Sequence, residues 1–176
     1  MFNLNGFATE MNTINQNSEL KWIELLSKYN IIKTQSLKYF SEISDKYSNE
    51  NRQYHNLEHI SEMIDFIESC KDKIHNIDNV LFAVWFHDYV YNPHKTNNEE
   101  LSAEAAKKFL KEINYNRDNY KTVYKMILRT ANHSEFKDKD TSDLQIFLDS
   151  DIFILASDEN KYSDYAAKIR KEYSYI

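Results

Sequence analysis

A histidine followed directly by an aspartate, His87-Asp88, stands inside the apolar segment 80–91, flanked by Trp85, Phe86 and Tyr89. Both are strong metal-ligand types, and both are costly to bury unless a partner compensates them. Residues of the same kind recur elsewhere. Tyr54-His55-Asn56-Leu57-Glu58-His59 lies upstream, and Asp149-Ser150-Asp151 sits in a further apolar run downstream. A His, a His-Asp pair and an Asp on separate helical segments form a set that can converge on one or two cations. Mixed imidazole and carboxylate donors suit Mn, Fe, Co, Ni or Zn, whereas Mg favours the oxygen-rich half of such a set.

Helical projection at about 100° per residue sharpens the choice. His55, His59, Met63, Phe66 and Cys70 fall on one stripe, so both histidines face the core and not the solvated side. A lone histidine there is most often a neutral core residue. A pair at i and i+4 points to ligation or catalysis. His87 shares its face with Val80, Ala83, Val84 and Tyr91, and Asp88 shares its own with Leu81 and Val84. An aspartate so placed is rarely buried without a partner. Asp151 projects onto the line of Leu144, Leu148 and Leu155, which makes it the better ligand of its pair. Asp149 projects toward Ile146 and Phe153, where it would serve instead as an acceptor that holds a ligand histidine. His133 follows the helical run 127–132 and by itself reads as a surface histidine or helix cap. Glu99 and Glu100 decorate a helix start, from which one of them could reach a metal-bound water. His75 and His94 lie in polar turns and receive no role.

The elements that must position these groups are helices. The chain has one glycine, Gly6, and one proline, Pro93, which disfavours turn-rich β architecture and any glycine-built phosphate loop. Helical spacing begins at Ser18 with Trp22, Leu25, Leu26 and Tyr29, and recurs at Leu37, Phe40, Ile43 and Tyr47. Further helices are predicted over about 56–70, about 78–91 with Asn92-Pro93 as the stop, and from an Asn97 cap through Ile113. Others carry Val123, Ile127 and Thr130, then residues 143–156. A last helix is capped by Asp158. Residues 1–17 show no periodicity and read as a loose N-terminal arm before a single compact all-α domain at 18–176. At 176 residues, 41% of them hydrophobic, the chain can bury a core. A net charge of −6 carries no basic footprint for nucleic acid. One cysteine, Cys70, excludes an internal disulfide framework. No stretch reaches the roughly 20 apolar residues of a membrane span, and the N-terminus lacks a signal-peptide pattern. The expectation is a soluble cytoplasmic domain of undefined oligomeric state.

His59, His87-Asp88 and Asp151 together resemble the H…HD…D signature of the HD superfamily, metal-dependent phosphohydrolases with an all-helical fold. The segment Tyr54 to Ile60 is similar to the YHNxxHA element of cyclic-nucleotide phosphodiesterases, and Ile127-Leu128-Arg129-Thr130 with His133 is similar to a later helix of those enzymes. The order of motifs, including WFHDYVY, NNEELSA and FLDSDIFIL, resembles a group of small bacterial HD-domain proteins over residues 20–173. The resemblance implies that His55 is the general acid. His59, His87, Asp88 and Asp151 would be ligands, with Asp88 bridging to a second ion. Tyr91 stands near the place where the phosphodiesterases carry a further histidine, and the chain ends soon after Tyr173, where relatives continue, which implies a more open pocket. The implied activity is hydrolysis of a phosphoester, either a nucleotide or a small phosphorylated metabolite, by a metal-activated water. Arg52, just before the motif, could hold a phosphate oxygen bidentately. Two rival readings are a di-iron HD-fold oxygenase, for which His133 is the candidate extra ligand, and a catalytically silent binding or regulatory module.

Overall fold

A computed structural model describes residues 4–133, 135 and 140–174. Among them there is no strand. The elements are α1 (Leu4–Ser27), α2 (Lys33–Tyr47), α3 (Leu57–Ser69), α4 (Ile77–Phe86), α5 (Asn98–Glu112), α6 (Arg117–Arg129), α7 (Ser142–Ile152) and α8 (Glu159–Glu172). Short 3-10 turns cover Lys71–Lys73, Thr130–Asn132 and Phe153–Ala156. The all-α bundle read from the spacing is the fold observed. No described helix is long and apolar enough to cross a membrane.

Helix α4 is the axis of the bundle, packing against α3, α5, α6 and α7. Its residues Val80, Phe82, Ala83, Val84, Trp85 and Phe86 are all buried, so nearly its whole circumference is apolar. Trp22 of α1 anchors this core. Its ring lies edge-on to Trp85 at 5.3 Å and against Phe82, Phe86 and Phe109, while its indole N–H donates to the Ser36 carbonyl at 3.2 Å. That bond satisfies the one polar atom of a fully buried ring.

With no glycine after α1 or α5, Asn30 (φ 59°) and Asn114 (φ 57°) take the left-handed positions. Asparagine tolerates that conformation better than most residues with a Cβ. Side-chain caps start several helices: Asn56 opens α3, Thr141 opens α7, and Asp158, the cap expected from the sequence, accepts from the Asn160 and Lys161 amides at α8.

Two boundaries and one cap bond differ from expectation in ways the packing explains. Residues 4–17 are helical and run without a break into α1, where a loose arm was expected; residues 1–3 of that arm lie outside the described residues. Once packing of Trp22, Leu25 and Leu26 nucleates the helix, extension gains a hydrogen bond per residue even without an apolar stripe. Asn97 occupies the cap position of α5, but its side chain makes no cap bond. The next residue, Asn98, ties down the 92–95 turn instead, by accepting from the Asn92 amide and donating to the Asn92 and Lys95 carbonyls.

Finally, α4 stops at Phe86 and does not continue to Tyr91. The Tyr47 hydroxyl donates to the Trp85 carbonyl (3.1 Å), and the Arg52 guanidinium donates to the carbonyls of Asp88 (2.7 Å) and Tyr89 (3.3 Å). Tertiary donors thus claim carbonyls that a longer helix would use internally. Replacing Trp22 by Ala is expected to cost about 3–5 kcal/mol in urea denaturation; a loss within about 1 kcal/mol would contradict its anchoring role.

Candidate metal centre

Three helices deliver the cluster. The Asn56 side chain accepts from the amides of Glu58 (2.9 Å) and His59 (3.4 Å), which starts α3 so that His59 sits in its first turn, buried. At the end of α4, the His87 ring donates through Nδ1 to the Val84 carbonyl at 2.9 Å. From α7, Asp151 places Oδ1 3.1 Å from His59 Nε2 and 3.6 Å from His87 Nε2. Ligand atoms of His59, His87 and Asp88 all lie within 4.8 Å of one another. This His-His-Asp group is able to bind a metal ion, and Asp151 lines the same point.

His87 Nε2 is the decisive atom. It is buried with no properly aligned hydrogen-bond partner, although Asp88 Oδ2 lies at 3.2 Å and Asp151 Oδ1 at 3.6 Å. Because Nδ1 already donates to Val84, a neutral ring presents a lone pair at Nε2 toward two carboxylates. Three acceptors then face one another, an arrangement stable only with positive charge between them. Without a metal that charge is a proton. Burial opposes it, but the carboxylates of Asp88 and Asp151 outweigh burial and push the His87 pKa up to about 9. Burial would raise both carboxyls, yet His87 holds Asp88 well below the usual range. Asp151 is held low against burial by His87 together with His133 and His59. A divalent cation meets the same requirement, so the donor set fits a metal.

His133 joins this cluster. The Thr130–Asn132 turn swings it back from the end of α6, and its Nε2 lies 2.7 Å from Asp151 Oδ2. Asp151 therefore pairs with two imidazoles, His59 through Oδ1 and His133 through Oδ2, and faces a third, His87, at 3.6 Å.

His55 lies before the Asn56 cap and outside α3, so the i,i+4 helical relation to His59 does not hold; the two rings still meet edge-on at 5.9 Å. Tyr91 stacks on the His55 ring at 4.6 Å. The His55 Nδ1 pairs with Glu172 Oε1 at 2.5 Å, while Glu172 Oε2 accepts from the amides of Tyr54 (2.8 Å) and His55 (3.3 Å). Burial would raise the Glu172 pKa, but His55 and these donors bring it to about 2, so the carboxylate accepts and Nδ1–H donates. Burial alone would lower the His55 pKa; Glu172, Asp88 and Asp151 reverse this and raise it. Glu172 carried no sequence signal. It ends a helix in the charged run Arg170-Lys171-Glu172, which reads as solvated surface.

Other expected site residues lie elsewhere or do other work. Arg52 was expected to hold a phosphate oxygen. It is buried, donates to the carbonyls of His55, Asp88 and Tyr89, and lies over the rings of Tyr47 (4.9 Å) and Tyr91 (5.2 Å). Its fork is occupied by backbone, so it braces the loops that carry His55 and Asp88. Asp149, expected to support a ligand histidine, is exposed on the opposite side of α7 from Asp151. Two residues along a helix rotate a side chain by about 200°. Glu99 and Glu100 occupy the first turn of α5 and, among the described residues, make no hydrogen bond or ion pair with the cluster.

No family model, curated protein or solved structure matches this chain. The assignment of the cluster therefore rests on its own geometry.

Replacing His87 by Ala is expected to lower divalent-metal affinity by more than about a hundredfold in calorimetric titration, since loss of a mere supporting partner already costs 10–100-fold; Asp149→Asn should leave it unchanged. The metal-free protein should also show a specific pH dependence. The stability contributed by raised His87 is complete below 6.5 and lost as pH rises through about 9. That contributed by depressed Asp88 and Asp151 is present above 3.8 and lost as acid protonates them. Urea midpoints without metal should fall between pH 6.5 and 9, and saturating zinc, which replaces the His87 proton, should abolish that fall.

Proposed function

We propose that this chain is a metal-dependent phosphohydrolase of the HD type, acting on a phosphoester of a nucleotide or small phosphorylated metabolite. The observation that carries the reading is the separation of roles around one point. His59, His87, Asp88 and Asp151 face a position that calls for a cation, while His55 stands beside it, paired with a carboxylate through its other nitrogen.

A divalent ion held there supplies a water acidic enough to act as nucleophile near neutral pH and offsets charge on phosphate oxygens. Mn, Fe, Co, Ni or Zn suits the mixed donors, with Mg accepted on the carboxylate side, as one or two ions. His55 holds its Nδ1–H on Glu172, which leaves Nε2 to carry the proton given to the departing alkoxide. The raised His55 pKa favours the protonated ring that can give up that proton. Tyr91 and Tyr54 close the ring on two sides and limit its rotation. Arg52 fixes the backbone on both sides of the reaction point and leaves the substrate to other groups.

His133 beside Asp151 favours one further reading, a two-metal centre that activates oxygen with iron, because it adds an imidazole to the ligand set. Elemental analysis after aerobic purification, with oxygen-dependent turnover, separates the two. For the hydrolase, a panel of phosphomonoesters, phosphodiesters and nucleotides with Mn, Mg, Co and Ni should reveal a cleaved substrate. His55→Ala should then reduce kcat by about 10²–10⁴-fold with metal content intact. Loss of metal in that variant, or undiminished turnover, would remove His55 from the proton-donor role.

A further inference from the structure

Helix α8 is held to the rest of the protein unlike any of the core helices. Its one buried side chain is Glu172, whereas α3 buries Leu57, Ile60, Met63, Ile64 and Ile67. What fastens α8 is polar and lies at the surface. Lys161 pairs with Glu62 at 2.7 Å in an exposed position, and Lys168 with Glu58 at 3.1 Å in a half-buried one. Pairs of this kind hold weakly and are screened by salt. Helix α8 also packs on the Phe153–Ala156 turn that precedes it, and its aromatic contacts converge on the surroundings of His55: Tyr165 lies edge-on to Tyr54 at 4.6 Å, and the Tyr91 hydroxyl donates to that of Tyr173 at 2.7 Å. The ligands His59, His87, Asp88 and Asp151 lie on α3, α7 and the end of α4, and none belongs to α8.

We propose that Glu172 is a positioning residue for His55 and that α8 is a strap whose docking supplies it. This rests on the reading of His55 as the proton donor. Both oxygens of Glu172 accept, Oε2 from the amides of Tyr54 and His55 and Oε1 from the His55 ring. Only a carboxylate can accept at both ends; an amide must turn a donor toward a donor. When α8 docks, the His55 ring is fixed with Nδ1–H on Glu172. When α8 releases, the ring loses that acceptor while the metal ligands keep their places. The site thereby passes between a metal-binding state and a state able to transfer a proton, through a helix held mainly by charge.

The test is hydrogen exchange and ring-nitrogen NMR on the full zinc-loaded chain without substrate. The α8 amides should exchange at least about tenfold faster than those of α3 and accelerate further with added NaCl. A His55 Nδ1–H resonance should be visible in the unaltered protein and lost in Glu172→Gln at unchanged zinc content. The pair Lys161→Glu with Lys168→Glu should also remove it and speed α8 exchange, and adding Glu62→Lys with Glu58→Lys should restore both. Exchange of α8 as slow as α3, or a His55 signal that survives once α8 exchange has been accelerated, overturns the proposal. These readouts need no turnover. An inactive substrate panel would therefore sink the hydrolase reading while the strap is judged on its own.

Discussion

Two carboxylates and two imidazoles are brought out of water around one point, and everything near them follows from the need for positive charge there. His87 Nε2 faces Asp88 and Asp151 without an aligned partner, and Asp151 is shared with His59 and His133. In a low-dielectric interior such a group of acceptors is unstable alone. A proton on His87 satisfies it poorly, because one proton cannot align with two carboxylates and a second imidazole at once. A multivalent cation with several coordination positions satisfies it far better.

The apolar framework exists to hold that point still. Trp22, Phe82, Trp85 and Phe86 lock α4 in register, so the helix ends where Tyr47 takes the Trp85 carbonyl and Arg52 takes those of Asp88 and Tyr89 just beyond it. Ending there turns Asp88 back beside His87 and leaves Tyr91 free to stack on His55. Arg52 is a case where a residue type suited to phosphate is used for backbone. Its planar fork meets carbonyls as readily as it meets phosphate oxygens, and here three backbone carbonyls occupy it.

Much of this was legible in the chain. The all-helical class followed from helical spacing and near absence of glycine and proline, and the cap at Asp158 followed from local chemistry. Projection chose Asp151 over Asp149 because a half-turn separates a core-facing side chain from a solvated one. The same reasoning misjudged segment 78–91, since periodicity continues past Phe86 although the helix does not. It also passed over Glu172, whose neighbours in sequence are charged and exposed. Long-range donors, which periodicity does not encode, decided both.

The amino-acid sequence by itself determined the helices, the side each turns to the core, and the residue types able to ligate a cation. These are local matters, set by spacing of apolar residues and by capping groups within a few positions. Tertiary structure alone decided that His133 joins Asp151, that Arg52 braces backbone, and that Glu172 crosses from the last helix to His55. Each of these contacts joins residues far apart in the chain, apart from the short return that brings His133 to Asp151. Their partners are chosen by which polar groups remain unsatisfied once the core has packed, and only the assembled bundle determines that.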